Sequence, residues 1–471
     1  MNDSKSNLRD KRGFRWTMLA LLSFTMLCSY YLSDALAPLE QRIEVELNWN
    51  STDYGIYSGA YGWFNVFLLM LVFSGMILDK MGARFTGILA ICFMMTGAAI
   101  KYWAVSGHVA GDPVNIGIGS WHLFSASKSA LTAGVGFAIF GVGVEMFVIS
   151  ANKVIIKWFR GKEMALAIGL NTSVGRVGTA LAMFTPIPLV NMTKNLAAPI
   201  LLSLLLLCIG LITYIIFNVF DRKLDKEELV EGVPAEEFKF SDIKKIVEVK
   251  AFWLISIICL MFYSAVFPFI KYVTQLIMQK YKVPDEFAGY IPALLPFAAL
   301  LLIPVFGNVF DKKGKGASLM ILGSVMLFVV YLFFSIPSFN SLYVAIGLIV
   351  ILGIALSMVP SAMWPSIAKI IPEQRVGTAY SLVFWIQNWG LMLVPMFIGS
   401  ILDKYCIEGT TTKLIDGVEM EVTQYNFTLP MLIFACFGAL AVIFAVWLKK
   451  EDAEKGYGLE RANIATYNPT K

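Results

Sequence analysis

Twelve apolar runs of about 20 residues dominate the chain, and no water-soluble fold buries so many. They lie near 16–38, 54–78, 84–105, 129–154, 163–187, 196–220, 251–278, 285–310, 317–336, 342–370, 376–402 and 428–449. A helix of about 20 residues crosses the hydrocarbon core and satisfies its backbone hydrogen bonds internally. Only 15% of the 471 residues are charged, against about 25% in an ordinary soluble domain. The sequence therefore predicts an all-α membrane protein with twelve transmembrane helices. The first run is longer than a signal-peptide core and precedes no small-residue cleavage site, so it reads as a retained helix.

Basic residues set the orientation. Lys80 and Arg84, Lys157, Arg160 and Lys162, Lys312, Lys313 and Lys315, and Lys369 and Arg375 all fall on the side of the two termini. Few basic residues occupy the opposite loops, so both termini are expected to be cytoplasmic. Residues 221–250 form the one sizeable charged linker, and 238–248 within it suit an amphipathic surface helix. The linker divides the chain into an N-terminal bundle at 1–220 and a C-terminal bundle at 251–450. A polar, disordered tail is expected at 451–471.

A repeat supports the division. The loop after span 2 carries Gly75, Asp79, Lys80 and Gly82, followed by Arg84; the loop after span 8 carries Gly307, Asp311, Lys312 and Gly314. Both read G-x-x-x-D-K-x-G. Gly75 and Gly307 suit close helix approach, and Gly82 and Gly314 suit a tight turn. Asp79 and Asp311 suit pairing with basic groups or helix N-termini at a gate.

Charges inside the spans are the candidate functional groups, because each is costly there. Glu145 lies in span 4 and Arg176 in span 5. Opposite charges on consecutive helices fit either a buried bridge or a site for a zwitterion. Lys271 and Asp34 lie nearer the outer ends of spans 7 and 1. Lys271 either snorkels to the interface or lines a pocket, and Asp34 either pairs with it or accepts a proton. Lys101 is expected to snorkel from the outer end of span 3, and Lys153 to anchor the cytoplasmic end of span 4. Tyr30, Tyr61, Tyr263 and Asn388 are the expected pocket lining.

Other chemistry is poorly served. No G-x-x-x-x-G-K-[ST] loop occurs. His108 and His122 share one outer loop and suggest neither a relay nor a metal site. Five of six cysteines lie in apolar runs, with Cys406 alone in a loop, and no disulfide framework or metal-ligand spacing emerges. No enzyme, cofactor, metal site or nucleic-acid partner is expected. The expected partners are the lipid bilayer and a small solute, and a monomer suffices.

The duplicated octets resemble the signature loop of the major facilitator superfamily. That resemblance implies two pseudo-symmetric six-helix bundles working by alternating access. A narrower resemblance, to the branch of lysosomal dipeptide uniporters and their bacterial relatives, rests on several stretches. These are Gly141, Gly143 and Glu145; Asn152; Trp158-Phe159; Gly161-Lys162-Glu163; Gly169-Leu170, Ser173, Arg176 and Gly178; Phe267-Pro268-Phe269; Trp364-Pro365; Ile371-Pro372-Glu373; Gly377-Thr378-Ala379-Tyr380; and Ile386-Gln387-Asn388 with Gly390. It implies that Glu145 takes the ammonium of a dipeptide and Arg176 its carboxylate. Two departures stand out: Asp34-Ala35-Leu36 replaces an expected Asp-Asn-Pro, and Lys271 has no place in the pattern.

The implied function is secondary transport of dipeptides or similar small zwitterions, with uniport and proton coupling both open. An organic-anion carrier using Arg176 and Lys271, and a non-transporting receptor or scaffold, are the competing readings. With no acidic dileucine signal before Arg15, a bacterial plasma membrane is favoured over a lysosome. Sequons at Asn50, Asn191 and Asn426 fall in outer loops and do not change that preference.

Overall fold

The computed structural model describes residues 8–109, 111–118, 121–159, 163–228, 240–372, 375–415 and 418–462. Among the described residues, ten helices are long and apolar enough to cross a membrane, and counting each of two bent pairs as one span brings the number to twelve. Span 1 is Arg12–Asp34. Span 2 is broken: Ser51–Phe67 meets Met70–Leu78 at 59°. The break falls at Leu69, whose left-handed backbone (φ 51°) is strained for a side chain branched at Cγ. Span 3 is Lys80–His108 and span 4 Lys128–Phe159. Span 5, Leu166–Phe184, turns by 46° into Pro186–Thr193, because Pro186 lacks the N–H that would continue the ladder.

Span 6 is Ala198–Leu224 and span 7 Lys250–Tyr281. Within the linker a short helix, Phe240–Val247, precedes span 7; residues 229–239 lie outside the described ones. Spans 8 to 12 are Asp285–Lys313, Gly316–Ser335, Leu342–Ile370, Val376–Tyr405 and Thr428–Lys455.

The first and last described residues, at the start of span 1 and after span 12, lie on one face, since twelve spans separate them. The opposite face carries two antiparallel hairpins that the sequence reading did not foresee, Val114–Ile118 with Trp121–Ala126, and Ile407–Ile415 with Val418–Tyr425. We call it the hairpin face. A polar helix, Glu40–Leu47, follows span 1 there. The 23 residues of span 1 already rise about 34 Å at 1.5 Å per residue, and this helix continues the chain past them as the last part of the 36-residue helical run Arg12–Leu47.

Two expectations fail. Lys101 does not snorkel: it is fully buried, donates to the carbonyl of Leu32 at 3.1 Å and lies over the Tyr57 and Phe137 rings. Nor is the segment after Lys450 disordered over its described part. Span 12 continues to Lys455, Leu459 is fully buried, and Glu460 accepts from the N–H and hydroxyl of Ser318, each at 2.8 Å. Residues 463–471 lie outside the described ones.

Candidate functional site

A cavity of about 110 Å³ lies between the two halves. From the first half, Tyr30, Ser33 and Asp34 of span 1, Ser58 and Tyr61 of span 2, and Phe137, Val144 and Glu145 of span 4 line it. From the second come Phe267, Pro268 and Lys271 of span 7, and Gln387, Leu391 and Pro395 of span 11. Most of the wall is aromatic or aliphatic, with its polar groups concentrated at two places. Pro268 also removes one helical hydrogen bond, to the carbonyl of Ser264, beside the wall it forms.

At one place, Glu145 is buried and accepts from the Tyr61 hydroxyl at 3.0 Å. Asn388 of the second half interacts with the same carboxylate, while donating to the Phe384 carbonyl at 2.9 Å. At the other place, Lys271 donates to Asp34 at 2.6 Å and to the Ser33 carbonyl at 2.7 Å. The salt bridge crosses the seam between the halves. Lys271 is thus a paired cation in the cavity wall and not a snorkelling one.

Arg176 stands behind the aromatic lining. Its guanidinium lies 5.5 Å from the Tyr30 ring centre and 5.3 Å from that of Phe267. It is 6% exposed, and its Nε and Nη1 atoms have no hydrogen-bond partner. No salt bridge joins it to Glu145. A buried guanidinium with idle donors is expensive unless something fills them. Stacking on two rings recovers part of that cost.

Tyr263 is set back from the cavity. It stacks on Phe267 at 5.2 Å with nearly parallel rings and accepts from the Trp364 indole at 3.2 Å. It therefore holds Phe267 in place. Sequence reasoning singled out Tyr30, Tyr61, Glu145 and Lys271 among the lining residues. It missed Ser33, Ser58, Phe137 and Gln387 as lining; Gln387 carried a signal, as an amide in a span next to Asn388.

The seam is closed toward the hairpin face. Asp403 at the end of span 11 accepts from the N–H groups of Ser51 (3.1 Å) and Thr52 (2.6 Å) and from the Thr52 hydroxyl. It thereby caps the first turn of span 2 from the other half, where the helix dipole favours an anion. Lys413 on the second hairpin reaches Gln41 at 2.9 Å. Gly59 and Gly399 let spans 2 and 11 touch: a Cβ on either would run into the carbonyl of Met392 or Ser51.

The duplicated octets lie at the other end. Gly82 and Gly314 have positive φ (78° and 68°), as their turns require. The close approach expected at Gly75 and Gly307 is not used in this arrangement, since a Cβ at either would meet nothing within 4 Å. Arg84 pairs with Asp221 at 3.1 Å, within its own half. Asp311 has partners of its own; the Asp79 side chain lies outside the described ones.

Comparisons with known proteins agree with this architecture. The Major Facilitator Superfamily profile matches residues 19–395 and, in an overlapping match, 273–465. The lysosomal dipeptide transporter MFSD1 of Homo sapiens is 29% identical over 400 residues, covering 83% of this chain and 80% of that protein. The Bos taurus protein of the same name is 28% identical over 405 residues, with the same coverage. The inner membrane transport protein YdiN of Escherichia coli is 30% identical, but over only 26% of this chain. Among solved structures, a D-xylose–proton symporter superimposes with a TM-score of 0.66 at 11% identity, covering 92% of this chain and 97% of its own. A bacterial homologue of the human lysosomal transporter Spinster gives 0.64 at 14%, covering 93% and 98%. Those low identities speak for the fold alone. Twelve spans in two bundles, a cavity at their seam and a matching profile over most of the length place the chain in the Major Facilitator Superfamily, a family of membrane transporters rather than enzymes.

Proposed function

We propose that this chain transports dipeptides or similar small zwitterions by alternating access, with Glu145 holding the ammonium and Arg176 the carboxylate. One observation carries the reading: a buried carboxylate and a buried guanidinium serve the same seam, yet neither satisfies the other. A zwitterion supplies the missing counter-charge to both. The guanidinium fork suits a carboxylate, and the apolar wall between tolerates varied side chains. The MFSD1 relatives, named for dipeptide transport, point the same way.

In this reading the terminal face, rich in Lys and Arg, is cytoplasmic, and the hairpin face is outer. The chain works as a monomer in a bacterial plasma membrane. Closure of the outer face by Asp403, Lys271 and Lys413 corresponds to the inward-facing stage, and the octets around Asp79 and Asp311 form the gate that closes at the opposite stage.

The test is counterflow of a radiolabelled dipeptide in proteoliposomes, comparing wild type with Glu145→Gln and Arg176→Ala. Both variants should lose uptake while keeping wild-type thermal stability in detergent. Undiminished uptake by both, or counterflow driven by simple carboxylates and not by peptides, would overturn the assignment.

A further inference from the structure

Glu40 opens the polar helix Glu40–Leu47, beyond the end of span 1. It is 3% exposed, and neither carboxylate oxygen has a hydrogen-bond partner. The helix packs on the Val418–Tyr425 strand and on span 7, so residues of the second half cover it. The groups that act on Glu40 are themselves acidic or phenolic. They are Glu44 one turn along its own helix, Asp403 of span 11, and the hydroxyls of Tyr54, Tyr272 and Tyr425.

The cations nearby in sequence or along the seam are engaged elsewhere. Arg42 reaches Asn191, Lys413 reaches Gln41 and Asp285, and Lys271 reaches Asp34. The remaining carboxylates have donors: Asp403 has Ser51, Thr52 and Tyr425, and Asp53 has Ser127 and Asn50. Glu44 accepts from Thr423. Glu40 alone of this group is without any donor.

We propose that Glu40 is a proton-binding site in the seam, loaded when the hairpin face closes and emptied when it opens. A carboxylate without donors, covered by protein and set beside two others, is stable only as the neutral acid. Opening the face withdraws Asp403, Tyr272 and Tyr425 and returns Glu40 to water, where it ionises. The closed form therefore binds the extra proton. Its advantage is complete below the carboxyl's open-state pKa and fades as pH rises through the closed-state value. Acidity on the hairpin side should favour closure there. The inference needs alternating access but not a dipeptide.

The experiment places spin labels at exposed Asn48 and Thr410, one in each half, with the accessible native cysteines replaced. Distances are measured by double electron–electron resonance between pH 4.5 and 8.5, without substrate. In wild type, the closed-to-open ratio should rise on acidification, by at most about tenfold per pH unit for one proton. Glu40→Gln, a permanent neutral acid mimic, should hold the short distance at every pH. Glu44→Gln should lower the midpoint, because a neighbouring negative charge is gone. A ratio in wild type that ignores pH, or an unchanged titration in Glu40→Gln, overturns the proposal. Should Glu40→Gln fail to fold, an unmoved midpoint in Glu44→Gln does so instead. Loss of dipeptide uptake leaves these distances unaffected, so the two readings fail separately.

Discussion

The Lys271 ammonium lies 2.6 Å from the Asp34 carboxylate, and this contact ties span 7 of one half to span 1 of the other. Both side chains are largely buried, at 14% and 8% exposure. Removing one partner of such a pair strands the other charge, at a cost of roughly 3 kcal/mol. Lys271→Met and Asp34→Asn should each destabilise the closed arrangement by about that amount. The double variant should recover most of it, because no lone charge remains. A double-mutant cycle by chemical denaturation in mild detergent measures the coupling. Strictly additive effects would mean that the pair contributes nothing as a pair.

The requirement for both ends of the ligand can be read from chemically blocked peptides. Acetylating the amino group removes the charge assigned to Glu145; amidating the carboxyl group removes the one assigned to Arg176. A hydrogen bond to a charged group contributes about 1.5–3 kcal/mol, so each block should weaken competition for uptake roughly ten- to a hundredfold. Arg176→Lys keeps the charge but loses the planar fork, and should fall between wild type and Arg176→Ala. Equal inhibition by free and acetylated peptides would remove Glu145 from the binding role.

The spans, the two halves and the lone charges were all legible in the sequence, because long apolar runs, a repeated octet and buried charge are strong local signals. Partners across the seam were not. Asp403 and Thr52 are 351 positions apart, and nothing in either segment encodes the register between bundles. The position of Lys101 near a span end favours snorkelling. The Leu32 carbonyl and two aromatic faces turn it inward instead. The second hairpin does have a local signal: Ile415 pairs with Val418, and the sequence between them is Asp416-Gly417, a strong two-residue turn signal.

The docked C-terminal segment should contribute measurably to stability. Glu460 accepts from the N–H and hydroxyl of Ser318 in the first turn of span 9, and Lys449 donates to the same hydroxyl at 2.7 Å. An anion at a helix N-terminus that also satisfies an N–H is a cap, and losing a cap costs about 1 kcal/mol. Truncation after Lys455 should cost more than Glu460→Ala, since it also uncovers the surface under Leu459. Denaturation midpoints in detergent compare the two; equal stability of wild type and both variants would show the docking to be incidental.

Asp221 gathers three elements of the first half at the terminal face. One of its oxygens takes Lys157 at 2.9 Å and the Trp158 indole at 2.8 Å, and the other takes Arg84 at 3.1 Å. The carboxylate is 5% exposed, whereas Arg84 and Lys157 are about a third exposed and have further partners. In Asp221→Asn, one oxygen can still serve Trp158, but the amide turns an N–H toward Arg84, donor against donor. The cost should be about 2 kcal/mol, within the range for leaving buried polar groups unsatisfied. Arg84→Ala and Lys157→Ala should each cost less, because exposed ion pairs are worth little. Chemical denaturation of the three variants gives the ordering. An Asp221→Asn protein as stable as wild type would show that spans 3, 4 and 6 are held together at this face by packing alone.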